Sequence, residues 1–312
     1  MNSPDLSPID TASIDDDHTQ RALEPSAEAL EGQLSSQWGI DRNQICVTSV
    51  PWAALFGVLL PEGKRVCLAA PAPEDVLDAI VEAGFRYIDV GRNHAFRVDV
   101  QGWQMASADC STAMAYLGAP SVPTSMMAPQ ALAEYARNAG NIVIWDHRSQ
   151  PYDGARASEH GGESNTIRVG IVGCGSGLEE QLPAFLIGNE RLIAPIKDWA
   201  RTQTIPAKNV ALAFAALSQK ADCIRRYRTL MAWTNHLETA LKKIPNLVVL
   251  GTEGCGLWVR APGLPSEQFA TLVCHPSVVG GNHWSWRDAV AVYPTEPGQP
   301  TSVLLDALES AL

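Results

Sequence analysis

The stretch Arg168-Val-Gly-Ile-Val-Gly-Cys-Gly-Ser-Gly-Leu-Glu-Glu-Gln-Leu-Pro183 joins a β-branched run to three closely spaced glycines, Gly173, Gly175 and Gly177. A polar segment compatible with a helix follows them. A strand, a glycine-rich loop and a helix are the pattern of many phosphate-binding turns. Here the third glycine comes four residues after the first, whereas the dinucleotide fingerprint requires five. The spacing therefore argues against a dinucleotide site.

Strands and helices alternate on the N-terminal side of this stretch. Helical patterns separate several short apolar runs, and such alternation indicates a mostly parallel sheet covered by helices on both faces. The runs that predict strands lie at residues 44–48, 65–70, 85–90, 113–117, 141–145 and 167–172. The expected fold class is therefore α/β, with a three-layer αβα arrangement.

The pattern changes near residue 190, where long helical segments at 192–202 and 207–244 begin. Short strands and helices follow, which predicts a small α+β unit. The chain is accordingly expected to have three parts. These are a flexible N-terminal arm at 1–23, a large α/β domain at 24–200, and a linking helix with a small C-terminal α+β domain at 201–312.

The composition narrows the classes of partner. The 312 residues carry a net charge of −11, and 46% are hydrophobic. Nucleic-acid binding needs clustered Lys and Arg, and a membrane span needs about 20 apolar residues, so neither is expected. The N-terminus lacks the features of a secretory signal, and seven scattered cysteines without CxxC pairs favour free thiols. We predict a cytoplasmic protein.

Five parts of the chain, taken in order, carry a resemblance to one enzyme family. They are Trp38–Thr48, Leu60–Pro73 with Leu77–Gly84, Ala119–Ser125, Ile142–Asp146 and Leu182–Ile193. In order and spacing they resemble the class I/II aminotransferases, the pyridoxal-phosphate (PLP) fold type I family, and histidinol-phosphate aminotransferases in particular. The resemblance implies a PLP fold type I large domain, a small C-terminal domain and a homodimer.

The residues that carry the chemistry of that family are mostly absent. A lysine forms the Schiff base there, an aspartate pairs with the pyridine nitrogen, and an arginine binds the phosphate. The resemblance places Cys174 at the lysine position, and a cysteine cannot form the internal Schiff base. It places Leu182 at the phosphate-binding arginine. Asp146 alone matches, as a remnant of the pyridine-nitrogen site, and Arg148 is expected to neutralise it.

Further departures fall at the phosphate turn, the stacking ring, the Asn-Pro-Thr-Gly turn and the substrate-carboxylate arginine. The residues at those positions are Ser49–Trp52, Ala72, Val122 and Val290. We therefore predict an aminotransferase-fold homologue that has lost PLP binding and transamination, with no cofactor, as a pseudoenzyme or partner subunit in a biosynthetic pathway. The glycines around Cys174 are then interpreted as relaxed sequence constraint after the loss of cofactor binding. A homodimer, or a heteromer with an active homologue, is expected, and a small-molecule ligand is compatible with the old cleft.

Two alternatives stay open. A repurposed, PLP-independent enzyme would use Cys174 or a histidine as its catalytic group. Strand alternation turns His147 away, so that histidine would be one of His94, His160, His275 and His283. A non-standard PLP-dependent transferase acting on an amino acid would need another lysine, and Lys197 is the nearest in sequence.

Aromatic and basic residues elsewhere are candidates for a substrate pocket. Trp284 and Trp286 lie in a segment rich in His and Gly, where a flat ligand can stack on an indole ring, although buried interface aromatics are the commoner case. The full set of pocket candidates is Trp52, Tyr152, His283, Trp284 and Arg287. No ligand pair has the short spacing of a zinc site, so no metal is expected.

Overall fold

The computed structural model describes residues 26–69, 72–91, 98–118, 129–148, 165–174, 176, 178–253, 256–275, 277–280, 289–292 and 301–312. The predicted N-terminal arm at 1–23 lies outside them. The helices are α1 Ala27–Trp38, α2 Pro51–Leu59, α3 Glu74–Glu82, α4 Val100–Ala108, α5 Pro129–Asn138, α6 Glu190–Ala200, α7 Ala207–Ser218, α8 Lys220–Leu241, α9 Ser266–Val273 and α10 Thr301–Ser310. The strands are β1 Ile45–Thr48, β2 Arg65–Ala69, β3 Arg86–Val90, β4 Thr112–Gly118, β5 Ile142–Asp146, β6 Thr166–Ile171, β7 Ala184–Gly188, β8 Val248–Glu253, β9 Gly256–Arg260, β10 Val278–Gly280 and β11 Val290–Val292.

The first seven strands form one sheet in the order β1-β7-β6-β5-β4-β2-β3. The five strands from β3 to β6 along this order are parallel, and β7 runs antiparallel to both β6 and β1. In its described residues, the β6–β7 connection forms a short 3₁₀ turn at Glu179–Gln181, where the sequence suggested a helix. A parallel crossover normally needs such a helix, so the chain turns back instead. The predicted α/β class is confirmed.

Helices cover both faces of this sheet, because alternate residues of its strands point to opposite faces. Tyr116 of β4 packs with Trp52 of α2 on one face, together with α3 and α6. The neighbouring Leu117 packs with Trp103 of α4 on the other face, together with α5. At the β1 end, α1 and α7 pack against Phe185 of β7. The result is the predicted three-layer arrangement.

Helix α3 places an acid near the ends of the parallel strands. It begins after Pro73, whose φ of −59° suits a helix start, and its first turn carries Glu74 and Asp75. Negative charge is favoured in the first turn of a helix because it faces the positive end of the helix dipole. Val76 and Ile80 bury the inner side of α3 against the sheet, which fixes where Asp75 lies.

The later strands form a four-stranded antiparallel sheet in the order β10-β11-β9-β8. Its core joins Trp233 of α8, Phe269 of α9 and Leu304 of α10 to Leu257 and Val290. The α+β character of this part agrees with the sequence. Helix α7 packs with α1 on the first sheet, and the proposed domain limits at residues 23 and 200 stay a prediction.

In the described part of the chain, no helix combines the length and the apolar character that a membrane crossing requires.

Candidate functional site

Asp146 ends β5 at the edge of the sheet where the parallel strands finish, and it is only 7% exposed. The hydroxyl of Tyr116 donates to its Oδ2 at 2.8 Å. Arg148 donates its backbone N–H to Oδ1 at 3.0 Å, its Nε–H to both oxygens at 3.1 Å, and its Nη2–H to Oδ2 at 3.0 Å. Both carboxylate oxygens are therefore engaged by the protein's own donors. The expected neutralisation of Asp146 by Arg148 is confirmed.

Arg148 binds a second carboxylate with the rest of its guanidinium. Its Nη1 donates to Asp75 Oδ2, and its Nη2 lies 3.3 Å from Asp75 Oδ1. Trp52 donates its indole N–H to Asp75 Oδ2 at 2.8 Å, and the Trp52 ring centroid lies 4.5 Å from the guanidinium carbon. We call Trp52, Asp75, Tyr116, Asp146 and Arg148 the Asp146 cluster. Its guanidinium lies over an aromatic face between two carboxylates, which is a favourable cation–π arrangement.

Charge and burial act against each other in this cluster. Burial alone would raise the pKa of Asp75, but the hydrogen bonds and the charge of Arg148 outweigh it and hold that pKa below its ordinary value. Burial likewise opposes the charged form of Arg148, while Asp146 and then Asp75 hold the Arg148 pKa well above its ordinary value. Arg148 is thus a permanent cation at neutral pH.

The opening stretch forms a turn between β6 and β7, and its described residues Gly173, Cys174 and Ser176 are here called the Cys174 turn. Gly173 has a φ of +79°, and a Cβ placed on it would lie 2.3 Å from the Cβ of Ala216 in α7. Glycine is therefore required here by backbone conformation and by the close approach of α7. The interpretation of this glycine as relaxed after a lost duty is wrong. It is a packing requirement.

Cys174 is 6% exposed, and its thiol donates to the backbone carbonyl of Arg148 at 3.3 Å. This contact joins the Cys174 turn to the Asp146 cluster. The carbonyl of the buried Ser176 accepts a hydrogen bond from Arg226 Nη1 at 2.7 Å, so α8 also fixes the turn. A cavity of about 30 Å³ lies beside it, lined by Gln37, Trp38, Ile171, Gly173, Cys174, Ala216, Leu217, Lys220, Cys223 and Ile224. Small-molecule sites usually measure about 300 Å³ or more. The cavity size therefore does not favour Cys174 as a nucleophile acting on a substrate.

Sequence reasoning missed Lys220, which lines that cavity together with Cys174. Its position follows from the way α7 and α8 return against the turn, and the spacing of residues in the sequence does not reveal that. The lysine proposed instead was Lys197. The structure places its Nζ 2.8 Å from Glu31 Oε2 and 2.9 Å from the carbonyl oxygen of Arg42. Glu31 Oε1 also accepts the Val47 N–H of β1 at 3.2 Å, so Lys197 belongs to the β1 edge of the sheet.

The histidines divide between described and undescribed parts of the chain. The ring of His147 stacks on Trp145 at a centroid distance of 6.0 Å, on the face opposite Tyr116, which confirms that it turns away from Asp146. His275 lies before β10, where its Nδ1 accepts the Ser277 N–H at 3.2 Å and burial lowers its pKa. The other predicted residues lie outside the described residues, namely His94, Val122, Tyr152, His160, His283, Trp284, Trp286 and Arg287.

Among the side chains that the structure describes, no group of three or more His, Cys, Asp or Glu is arranged to hold a metal ion. The six described cysteines are free thiols: Cys46, Cys67, Cys110, Cys174, Cys223 and Cys274. Burial raises the pKa of Cys46 and of Cys67 to about 12 and that of Cys223 to about 11, which keeps these three protonated and unreactive at neutral pH.

No family model matches the chain, and no curated protein sequence matches it. Solved structures do. A probable N-succinyldiaminopimelate aminotransferase from Thermus thermophilus is similar over 100% of this chain and 94% of its own, with a TM-score of 0.73 and 18% identity. An aromatic aminotransferase from Pyrococcus horikoshii is similar over 93% of this chain and 85% of its own, with a TM-score of 0.71 and 20% identity. A PLP-dependent aminotransferase from Streptococcus suis is similar over 91% of this chain and 80% of its own, with a TM-score of 0.70 and 18% identity.

At these identities the likeness establishes the fold. The chain has the α/β architecture of the fold type I, PLP-dependent aminotransferases, over nearly its whole length. The prediction that the chain has no cofactor is wrong by the same comparison. The similar structures are aminotransferases, one of them named as PLP-dependent, and they point to PLP rather than to the absence of a cofactor.

The described residues fit PLP in one respect only. Asp146 is a buried acid at the strand ends, suited to pair with a protonated ring nitrogen. Both of its oxygens are held by Arg148 and Tyr116, so a ring nitrogen reaches Asp146 only where Arg148 has left it. The Cys174 side chain offers a thiol and no amine. The acid fits the cofactor, and the amine that would link to it is missing from Cys174.

Proposed function

We propose that this chain is an aminotransferase-fold pseudoenzyme, which takes PLP as a non-covalent ligand and does not transaminate by the standard route. The observation that carries the proposal is the closure of Asp146 by Arg148 and Tyr116. PLP, when bound, supplies an electron sink for amino-acid chemistry. The standard reaction also needs a lysine amine to link and release the cofactor, and the resemblance places Cys174 there.

The Asp146 cluster is better suited to holding charge than to moving protons. A guanidinium with a raised pKa does not exchange protons at neutral pH, and the pKa of Asp75 is held below its ordinary value. General acid–base catalysis needs a group with a pKa near the working pH. Arg148 therefore pairs with both oxygens of Asp146, and neither Arg148 nor Asp75 is a proton donor or acceptor suited to neutral pH.

A second candidate function is a non-standard PLP-dependent transferase that uses Lys220. One observation favours it, because Lys220 and Cys174 line the same cavity beside the Cys174 turn, and that cavity of about 30 Å³ would have to open to admit PLP. A lysine amine from α8 would then replace the amine that Cys174 lacks. This candidate differs from the pseudoenzyme in one measurable property, the covalent attachment of PLP to a lysine.

The deciding experiment maps covalent attachment. The purified protein is incubated with PLP and treated with borohydride, which makes a lysine link permanent, and the peptides are identified by mass spectrometry. We expect no stoichiometric pyridoxyl-lysine at any site, whereas a known aminotransferase treated in parallel is fully labelled. Trace labelling of exposed lysines such as Lys243 gives the background.

A stoichiometric adduct on Lys220 would refute the pseudoenzyme and establish the second candidate. The matched variants are Lys220→Met, which would then abolish labelling, and Lys243→Met, which would not. An adduct on any other lysine together with turnover of an amino acid would refute both candidates. The absence of an adduct, together with measurable non-covalent binding of PLP, supports the pseudoenzyme.

The assembly and its setting are part of the proposal. We propose that the chain forms a homodimer, or a heteromer with an active homologue of a biosynthetic pathway, and that it does so in the cytoplasm. In this proposal the chain has a large domain at 24–200 and a C-terminal domain at 201–312, and both would contribute surface to the subunit interface. Light scattering of the purified chain tests the homodimer, and a monomeric mass at micromolar concentration would contradict it.

A further inference from the structure

The Asp146 cluster contains a flat cation held in three directions. The Trp52 ring lies under the guanidinium at 4.5 Å, Asp146 receives its Nε and Nη2, and Asp75 receives Nη1 and Nη2. An aromatic face with two in-plane carboxylates defines a place for a planar cation that carries N–H groups. In this structure the occupant is the side chain of Arg148.

We propose that Arg148 is an internal competitor, which occupies a planar-cation site and sets the affinity of that site for a protonated pyridine ring. The proposal rests on the proposed function, because it takes PLP as the ligand. Guanidinium and pyridinium groups are both flat cations with N–H donors, so they compete for the same oxygens of Asp146. The ring is admitted only to the extent that Arg148 is displaced.

The contacts of Arg148 show why this competition is strong. Its side chain makes hydrogen bonds to two acids, and its backbone N–H also binds Asp146 Oδ1 at 3.0 Å. A ligand must break these side-chain bonds before it pairs with Asp146. When the competent state is a minor one, the apparent dissociation constant rises by the inverse of its population. Weakening Arg148 should therefore increase affinity.

A substitution at Asp75 offers an independent way to weaken the binding of the Arg148 guanidinium. It holds the outer side of the Arg148 guanidinium and receives the Trp52 N–H, while no described hydrogen bond joins it to Asp146. Asp75→Asn loosens Arg148 and leaves Asp146 in place. A role for Arg148 in packing alone predicts no gain in affinity from that change, whereas competition predicts one.

The test uses pyridoxine 5′-phosphate, which has the ring and phosphate of PLP and lacks the aldehyde that reacts with lysines. Its binding to the full chain is measured by equilibrium dialysis at fixed ionic strength, since ion pairs are screened by salt. We expect Arg148→Ala to bind it about tenfold more tightly than the wild type. We expect Asp75→Asn to bind it more tightly by a smaller factor. Arg201→Ala, which breaks an exposed pair with Asp198, is the control and should change nothing.

Two further arms identify the site. Adding Asp146→Asn to Arg148→Ala should remove the gain. Methylguanidinium chloride should weaken ligand binding to Arg148→Ala, and sodium chloride at equal ionic strength should not. Arg148→Ala with native circular dichroism and an affinity within about twofold of the wild type overturns the proposal. So does a gain that survives Asp146→Asn. If Arg148→Ala does not fold, Asp75→Asn decides, and an unchanged affinity there overturns the proposal equally.

These results are separable from those for the proposed function, because the probe cannot form a lysine link. A pyridoxyl-lysine adduct refutes the pseudoenzyme and leaves the competition intact. An Arg148→Ala variant with unchanged affinity refutes the competition and leaves the absence of transamination untouched.

Discussion

The Asp146 cluster and the Cys174 turn are joined by a single described hydrogen bond, from the Cys174 thiol to the Arg148 carbonyl, yet they are built differently. The Asp146 cluster is held by charge: two acids, a guanidinium, an indole and a phenol. The Cys174 turn is held by close packing, with Gly173 against Ala216 of α7. One region is a network of polar side chains. The other is tightly packed and buried.

The difference indicates how freely each region can rearrange. A polar network survives burial only if its members satisfy one another, and Arg148 satisfies Asp146 without outside help. A packed turn has no such freedom, because a Cβ added at Gly173 collides with Ala216 of α7. Access to Asp146 can therefore change by moving one side chain, whereas the Cys174 turn changes only with the packing around it.

The largest effect is expected from Asp146→Ala. It leaves the Arg148 guanidinium with Asp75 alone and removes an acceptor from the buried Tyr116 hydroxyl. We expect the free energy of unfolding to fall by about 3 kcal/mol, measured by urea denaturation. Asp198→Ala, in an exposed ion pair, should cost less than about 0.5 kcal/mol. Equal losses in the two variants would show that the cluster is not held by charge.

A smaller loss is expected from Gly173→Ala, which tests the packed region. The new Cβ would collide with Ala216, and the left-handed φ disfavours alanine, so we expect a loss of about 2 to 3 kcal/mol. Gly140→Ala is the matched control, since its φ is +86° and its Cβ would meet nothing within 4 Å. That change should cost about 1 kcal/mol, from the backbone alone. If both changes cost the same, the contact with α7 contributes nothing.

Cys174→Ala should cost still less, about 1 kcal/mol in thermal or urea unfolding, because it removes a weak donor and little volume. Cys223→Ala is the control, as a buried cysteine lining the same cavity with its thiol 3.7 Å from the Ala216 carbonyl oxygen. Similar losses are expected. A Cys174→Ala variant with native stability that no longer binds pyridoxine 5′-phosphate would assign a chemical role to the thiol and contradict the division between the two regions.

The smallest effect is the pH dependence that Asp75 contributes. Its folded-state pKa lies below the ordinary value of 3.8, so its contribution to stability is complete above that value and is lost as the pH falls through the folded-state pKa. The difference in unfolding free energy between the wild type and Asp75→Asn should therefore be constant near neutral pH and shrink below about pH 4. The half-exposed position of Asp75 keeps it small. A difference that widens toward acid pH would contradict the assignment.

Much of the fold was readable from the sequence because its strands are dense in β-branched and apolar residues. Segments 44–48, 65–70 and 113–117 needed only local pattern. Helix α4 was missed, since Gly102 and polar residues interrupt its apolar spacing. Strand β10 was missed because three residues carry too little pattern. The antiparallel direction of β7 depends on a connection whose polar residues look helical.

The site was readable only where its partners are close in sequence. Arg148 follows Asp146 by two residues, so their pairing was predictable. Asp75 lies 73 residues from Arg148, and only the fold brings the two together. The approach of Ala216 and Lys220 to the Cys174 turn depends on how α7 and α8 return to the first sheet, which no short-range pattern encodes.

The carboxylate of Glu31 has a consequence for the behaviour of this chain in concentrated solution. Strand β1 is the last in its sheet, and a bare outer edge offers unpaired N–H groups to the strands of other molecules. The Glu31 side chain accepts the Val47 N–H of that strand, and Lys197 holds the carboxylate in place. A buried charge thus blocks one position at which a foreign strand would add, which protects the sheet against edge-to-edge aggregation.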